Sequence, residues 1–214
     1  MQFKSEIKLK VCGMRDPENI LEVASLKPDY LGFIFFSKSP RYVQHNFTLP
    51  EGLSSQVKKV GVFVNESNDI MVTQMHRMKL DYLQLHGNES VKQCEELKEE
   101  GAKIIKVFSI DDDFDFALTK PYQDVADFFL FDTKGKYYGG NAKTFDWSIL
   151  NRYHQQVPFF ISGGINAENV KQVANFKNMN IHAIDVNSGA ETAPGIKNSD
   201  ELKKIIDILT TNPS

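Results

Sequence analysis

Residues 159–165 read Phe-Phe-Ile-Ser-Gly-Gly-Ile, and residues 184–189 read Ile-Asp-Val-Asn-Ser-Gly. In each stretch a short apolar run ends in a glycine-containing turn that precedes a candidate helix. Glycine lets backbone N–H groups approach an anion closely, and a helix N-terminus adds a favourable partial charge. In a (β/α)8 barrel the loops after the last two strands often form a phosphate site. The turns therefore predict a barrel that binds a phosphorylated small molecule. The phosphate-binding candidates are Gly163, Gly164, Ser188 and Gly189.

Eight short β-like segments alternate with helical patterns along the chain. Several are nearly continuous apolar runs, as expected for parallel strands buried on both faces. They cover residues 7–12, 30–35, 59–64, 82–85, 104–108, 128–132, 158–161 and 182–186. No linker or low-complexity tract divides the 214 residues, of which 41% are hydrophobic. We therefore predict an α/β protein in which residues 1–214 form a single-domain (β/α)8 TIM barrel. An open doubly wound sheet is the competing architecture, but no GxGxxG turn follows the first segment.

Helix signals fall between the β-like segments. Asp16, followed by proline, offers an N-cap and a proline at the first helical position. Three further apolar stripes have helical spacing: Val91, Cys94 and Leu97; Val170, Val173 and Ala174; and Leu202, Ile205, Ile206 and Leu209. Asn166 is expected to cap the second of these, and Asn198 the third in a capping box with Glu201. Residues 111–122 are expected to form a loop or a single turn.

Composition argues against several classes of protein. The net charge of −3 lacks the strongly basic balance of a dedicated nucleic-acid binder. No apolar run is long enough to span a bilayer, and residues 1–6 contain no apolar signal-peptide core. The two cysteines, Cys12 and Cys94, form no CxxC pair, and the five histidines show no HExxH spacing. We therefore expect a cytoplasmic protein with no membrane, nucleic-acid or metal partner, acting as a monomer, with a homodimer left open.

The carboxyl ends of the predicted strands carry polar side chains, and active sites of (β/α)8 barrels lie at this end. The candidates are Cys12, Gln84, His86, Asp132 and Asp185, with Arg41 in the loop after the second segment. Taken alone, each also has a structural interpretation. Free cysteine is usually a small buried hydrophobe, and an aspartate such as Asp132 often caps a turn. His86 could satisfy a loop carbonyl, and Arg41 could be a solvated loop charge.

A set of short motifs runs in order along nearly the whole chain. Lys-Val-Cys-Gly occupies 10–13, Ser-Pro-Arg-Tyr-Val 39–43, Leu-Gln-Leu-His-Gly 83–87, Phe-Asp-Thr 131–133, Ser-Gly-Gly-Ile 162–165 and Asp-Val-Asn-Ser-Gly-Ala-Glu 185–191. Each motif is weak alone, but the ordered set resembles the phosphoribosylanthranilate isomerase family of tryptophan biosynthesis. One departure is Asn141-Ala142, where the family commonly has Thr-Gly or Ser-Gly. We expect that difference to affect substrate affinity rather than the chemistry.

The resemblance implies a cofactor-free Amadori rearrangement of N-(5′-phosphoribosyl)anthranilate. It implies that Asp132 is the general acid, which must hold a proton at neutral pH, and that Cys12 is the general base, which needs thiolate character. Arg41 would pair with the anthranilate carboxylate. Gln84, His86 and Asp185 would contact the sugar or the anthranilate nitrogen. The two glycine-rich turns would bind the phosphate.

Three other functions compete with this interpretation. A sugar-phosphate isomerase of histidine biosynthesis uses two aspartates as acid and base, whereas this chain has Cys12 after its first segment. An indole-forming synthase would use lysines near strand ends, and Lys10 and Lys106 are present inside the first and fifth segments, but the ordered motifs do not fit that family. A binding protein could retain the phosphate turns without turnover, since a fold alone does not establish function. The presence of both Cys12 and Asp132 favours the isomerase.

Overall fold

The structure is a computed structural model that describes residues 7–133, 147–174, 176 and 179–211. Eight parallel strands form a closed barrel in chain order. They are β1 Lys8–Val11, β2 Tyr30–Ile34, β3 Lys58–Phe63, β4 Tyr82–Leu85, β5 Ile104–Ile110, β6 Phe128–Thr133, β7 Phe159–Ile161 and β8 Ile181–Val186. β8 pairs with β1 and closes the barrel. The predicted (β/α)8 TIM barrel is confirmed, and its extent over residues 1–214 stays a prediction.

The barrel interior holds its own apolar cluster. Its buried members are Tyr30, Val60, Ile105, Val107, Leu130, Phe160 and Ala183. A larger cluster fills the space between the strands and the surrounding helices. Because side chains alternate along a strand, the inward face that carries Leu130 also carries Asp132, and the face that carries Ala183 also carries Asp185. The apolar layer therefore forms a floor beneath polar side chains at the carboxyl end.

Five α-helices lie among the described residues. They are α1 Pro17–Ser25, α2 Asn68–Met78, α3 Val91–Glu99, α4 Val170–Ala174 and α5 Ser199–Thr211. The Asp16 side chain accepts the Asn19 N–H at 2.9 Å, which confirms the predicted cap of α1. Asn166 likewise accepts the N–H groups of Glu168 and Asn169 before α4.

The capping box of α5 is only half formed. Asn198 accepts the Glu201 N–H at 3.2 Å. The Glu201 carboxylate binds Lys204, and the Asn198 N–H donates to the Ala190 carbonyl instead. A competing lysine one turn along the helix thus takes the carboxylate that the motif would use.

Among the described residues, three of the connections between strands contain no α-helix, and the one between β6 and β7 has a 3-10 helix, Trp147–Arg152. Residues 35–57 form turns rather than a helix, since Pro40 and Pro50 interrupt any helical hydrogen-bond ladder there. The segment predicted to be loop or a single turn contains a 3-10 helix, Phe116–Tyr122.

The turn after β8 leads into a further element that the sequence did not indicate. A 3-10 turn, Ser188–Ala190, is followed by a hairpin of β9 Glu191–Ala193 and β10 Ile196–Lys197 before α5 begins. Gly195 turns the hairpin with a φ of 86°. No helix among the described ranges is long and apolar enough to cross a membrane.

Candidate active site

A buried ion pair lies where β1 and β8 meet. Lys10 Nζ donates to Asp185 Oδ1 at 2.7 Å, and the strand register places the two residues opposite each other. Lys10 is fully buried and Asp185 almost so. Burial alone lowers the pKa of Lys10, but attraction to Asp185 and Cys12 outweighs it and the pKa is raised. Lys10 is therefore an ammonium group inside the barrel.

Cys12 follows β1 directly, and its side chain is hydrogen-bonded to the same Lys10 ammonium group that binds Asp185. A Cβ added to Gly32 would lie 2.8 Å from Cys12 Sγ, so the glycine in β2 leaves room for the thiol. Burial raises the pKa of Cys12, and nearby Lys10 and Lys197 only partly offset this effect. The thiol is the favoured form in this state, which differs from the thiolate character expected of the base.

Asp132 lies near the end of β6 and uses its two oxygens differently. Oδ1 accepts the Thr133 N–H at 3.0 Å, so the turn-capping interpretation is correct for that oxygen. Oδ2 lies 3.5 Å from His86 Nε2, and both side chains are about one-quarter exposed. Gln84 Nε2 lies 3.5 Å from His86 Nδ1. One oxygen of Asp132 thus caps its own turn, while the other lies near His86 on a partly exposed side chain.

Asp185 connects the two sides of this cluster electrostatically. It interacts with Cys12, with Asp132 and with His86. Burial raises the pKa of Asp185 despite the attraction of Lys10, so a thiol and two carboxyl groups are coupled at the carboxyl end of the barrel. Such a set of groups suits the transfer of protons to and from a small molecule bound there.

Arg41 is buried and is bound by a carboxylate of the chain itself. Its Nε lies 2.8 Å from Glu191 Oε1, and its Nη2 lies 2.5 Å from Glu191 Oε2. Lys197 Nζ binds the same carboxylate at 2.5 Å and Asn187 Oδ1 at 2.8 Å. Burial alone would raise the pKa of Glu191, but the two cations and the Gly195 N–H outweigh it and the pKa is lowered. Arg41 is therefore a fixed part of the site rather than a solvated loop charge.

The two glycine-rich turns meet in space. A Cβ on Gly189 would lie 2.0 Å from the Ile165 carbonyl oxygen, so only glycine allows this approach. Gly163 and Gly164 both have positive φ, of 102° and 67°. Successive residues of this kind expose backbone N–H groups in a concave surface that suits an anion. The turn before Ser188 is tied to Lys197 through Asn187.

The structure brings nearly all of the sequence candidates to one end of the barrel, but it also adds residues that the sequence reading missed. These are Lys10, Asn187, Glu191 and Lys197. For Lys10 the signal was present, since a lysine inside an apolar strand two residues before Cys12 shares its inward face. Glu191 and Lys197 are brought together by the hairpin, which no periodicity indicated. Asn141-Ala142 lies outside the described residues, and within them no group of three His, Cys, Asp or Glu side chains could hold a metal ion.

The fold defines a (β/α)8 barrel, and the titratable side chains gathered at the carboxyl ends of its strands are suited to an enzyme of acid–base chemistry. The family model described as N-(5′-phosphoribosyl)anthranilate (PRA) isomerase matches residues 9–208. The chain belongs to the phosphoribosylanthranilate isomerase family.

Similar proteins agree with this assignment along almost their full lengths. N-(5′-phosphoribosyl)anthranilate isomerase of Parabacteroides distasonis is 47% identical over 201 residues, covering 92% of this chain and 91% of the relative. The protein of the same name from Phocaeicola vulgatus is 43% identical and covers 94% and 97%. The crystal structure of phosphoribosyl anthranilate isomerase from Thermotoga maritima is 32% identical with a TM-score of 0.85, covering 96% and 99%. A further isomerase structure, 29% identical with a TM-score of 0.82 and covering 96% and 99%, holds reduced 1-(o-carboxyphenylamino)-1-deoxyribulose 5-phosphate.

Proposed function

We propose that this chain converts N-(5′-phosphoribosyl)anthranilate to 1-(2-carboxyphenylamino)-1-deoxyribulose 5-phosphate, the third step from chorismate to tryptophan. The observation that carries the proposal is that Cys12, directly after β1, and Asp132, near the end of β6, lie at the same end of one closed barrel and both interact electrostatically with Asp185. The identity of the proposed substrate comes from the family to which the chain belongs. The reaction rearranges one molecule, so it needs an acid, a base and a site that holds both ends of the substrate.

The acid acts first in this mechanism. The closed furanose has no acidic C–H at C2′. Asp132 donates a proton to the ring oxygen, the bond from C1′ to that oxygen breaks, and the nitrogen lone pair forms an iminium at C1′. Asp132 Oδ2 is the oxygen suited to this step, because Oδ1 is held by the Thr133 N–H.

The base acts on the product of ring opening. Cys12 removes the C2′ proton, the C–H electrons neutralise the iminium, and an enolamine forms. Protonation at C1′ and loss of the hydroxyl proton at C2′ then give the ketone. Burial favours the Cys12 thiol before the reaction, but an iminium cation close by favours the thiolate. Ring opening therefore creates the iminium charge that favours the Cys12 thiolate just before the C2′ proton is removed.

The remaining contacts hold the substrate by its two anionic ends. Gly163, Gly164, Ser188 and Gly189 bind the phosphate through backbone N–H and hydroxyl groups. Arg41 binds the anthranilate carboxylate. Gln84, His86 and Asp185 line the space between, toward the sugar and the nitrogen. No cofactor takes part in the proposed reaction.

Conversion of the substrate by the purified chain tests this proposal. N-(5′-phosphoribosyl)anthranilate, generated enzymatically, is fluorescent, and its signal is expected to decay on addition of the protein with a product of unchanged mass. A folded protein that binds the substrate without fluorescence decay would instead be a binding protein.

We further propose a cytoplasmic monomer. Within the described residues the large exposed apolar side chains are Leu21, Ile70 and Leu118, which lie on three separate elements rather than on one patch. Sedimentation equilibrium at micromolar concentration is expected to give the mass of one chain, and the mass of two chains would contradict this.

A further inference from the structure

The cluster of Arg41, Glu191 and Lys197 contains a carboxylate that the proposed mechanism does not use. Its closest charged contacts are Arg41 Nε at 2.8 Å, Arg41 Nη2 at 2.5 Å and Lys197 Nζ at 2.5 Å. The Gly195 N–H also donates to it, at 3.1 Å. The Glu191 side chain is 5% exposed and that of Lys197 is fully buried. These charged side chains therefore form a buried, multiply hydrogen-bonded cluster rather than an ion pair on the surface.

From this geometry we infer that Glu191 is a positioning residue that orients the Arg41 guanidinium for the carboxylate of the substrate. The inference rests on the proposed function. A guanidinium binds carboxylates along its edges, in its own plane. Glu191 occupies the Nε–Nη2 edge. A second carboxylate can therefore bind in the plane only along the Nη1–Nη2 edge, and Glu191 determines where that edge lies.

The Arg41 stem packs against Gly13, the residue after Cys12. A Cβ added to Gly13 would lie 2.6 Å from Arg41 Cδ and 2.7 Å from Asn187 Oδ1. The stem thus crosses the backbone immediately after Cys12, and Asn187 packs at the same point. With the stem and one guanidinium edge both held, the remaining edge keeps a constant position relative to Cys12.

Lys197 preserves the positive charge that the substrate carboxylate requires. Arg41 and Glu191 alone would be neutral, but Lys197 returns the three-residue cluster to a net charge of +1. Since Lys197 also binds the Asn187 side chain and carbonyl, the cluster joins the carboxylate-binding arginine to the turn before Ser188. Substrate binding therefore depends on Glu191 through orientation and not through direct contact.

Steady-state kinetics of a double-mutant cycle tests the inference. We expect Glu191→Gln to raise KM about tenfold and to change kcat by less than about threefold. The substitution should weaken binding of the substrate and of the transition state equally, and it leaves the acid and the base in place. In an Arg41→Ala background the same substitution should change KM by less than about twofold, since Glu191 acts only through the arginine. Glu191→Asp, which keeps the charge on a shorter side chain, should give an intermediate KM.

The matched control is Glu201→Gln, which removes a carboxylate bound to Lys204 at 2.6 Å on α5, away from the site. It should leave both constants unchanged. A KM increase that persists undiminished in the Arg41→Ala background would overturn the inference, as would a fall in kcat with KM unchanged. If Glu191→Gln does not fold, the Glu191→Asp cycle supplies the same comparison. Failure of the wild-type protein to turn over would refute the proposed function instead.

Discussion

At the scale of single residues, the site is dominated by the conflict between burial and charge. Cys12 is 3% exposed, and burial makes its thiolate costly despite a hydrogen bond to Lys10. The Lys10 charge is itself shared with Asp185. Cys12 therefore favours its thiol form, which is less reactive toward oxidation and alkylation than the thiolate.

The rate of Cys12 alkylation tests this description of the thiol. Because the thiolate is the reactive form and the Cys12 pKa is raised, the pH at which alkylation by iodoacetamide is half-maximal should lie above 9.0. Peptide mass spectrometry distinguishes Cys12 from Cys94, which lies on the buried face of α3 and should stay unmodified while the fold is intact. A midpoint well below 9.0 for Cys12 would show that the lysines outweigh burial.

At the scale of elements, the two glycine-rich turns act as one unit. Gly189→Ala would place a methyl group 2.0 Å from the Ile165 carbonyl oxygen and force the turns apart. We expect a loss of about 1–3 kcal/mol in the free energy of unfolding and a KM increase of about tenfold or more as phosphate contacts weaken. Thermal melts and steady-state kinetics measure the two effects.

Gly101→Ala is the matched control for that substitution. Gly101 has a φ of 83° but open space around an added Cβ, and it lies just beyond α3. It should lose stability through backbone strain alone and keep the wild-type KM. If Gly189→Ala also keeps the wild-type KM, the turns do not bind the phosphate.

The elements were predictable from the sequence to different degrees for physical reasons. Buried parallel strands are nearly continuous apolar runs, so all eight were located within about two residues of their ends. The hairpin after β8 was missed because Glu191–Ala193 and Ile196–Lys197 are short, polar and without a period. The residues of the candidate site were likewise predictable to different degrees. Residues at strand ends could be predicted from position alone, whereas Glu191 and Lys197 become neighbours of Arg41 only through the folded hairpin.

At the scale of the whole molecule, the two ends of the barrel have different tasks. The amino-terminal end is closed by an aromatic cluster in which His182 lies 2.6 Å from the Tyr30 hydroxyl and packs on Phe128. Burial, helped by nearby Lys8, lowers the pKa of His182 from 6.5 to about 4. Aromatic packing at this end supports the barrel, whereas the proposed chemistry takes place at the other end.

The pH dependence of stability tests the role of His182. The unfolded chain binds the histidine proton below about pH 6.5 and the native state only below about 4, so stability is lost as the pH falls through this window. Between pH 7 and 5 the stability difference between wild type and His182→Gln should shift by about 1 kcal/mol against the wild type, after allowance for solvent screening. Urea unfolding at both pH values provides the measurement, and a pH-independent difference would contradict the assignment.

The central claim is that Cys12 and Asp132 are the base and the acid of one rearrangement. Fluorescence decay of N-(5′-phosphoribosyl)anthranilate with wild type, Cys12→Ala and Asp132→Asn tests it most directly, with thermal melts to show that each variant is folded. We predict rapid decay with wild type and a loss of at least about 100-fold in kcat with each variant. Decay that survives both substitutions at near wild-type rate would keep the isomerase and contradict the assignment of these two residues.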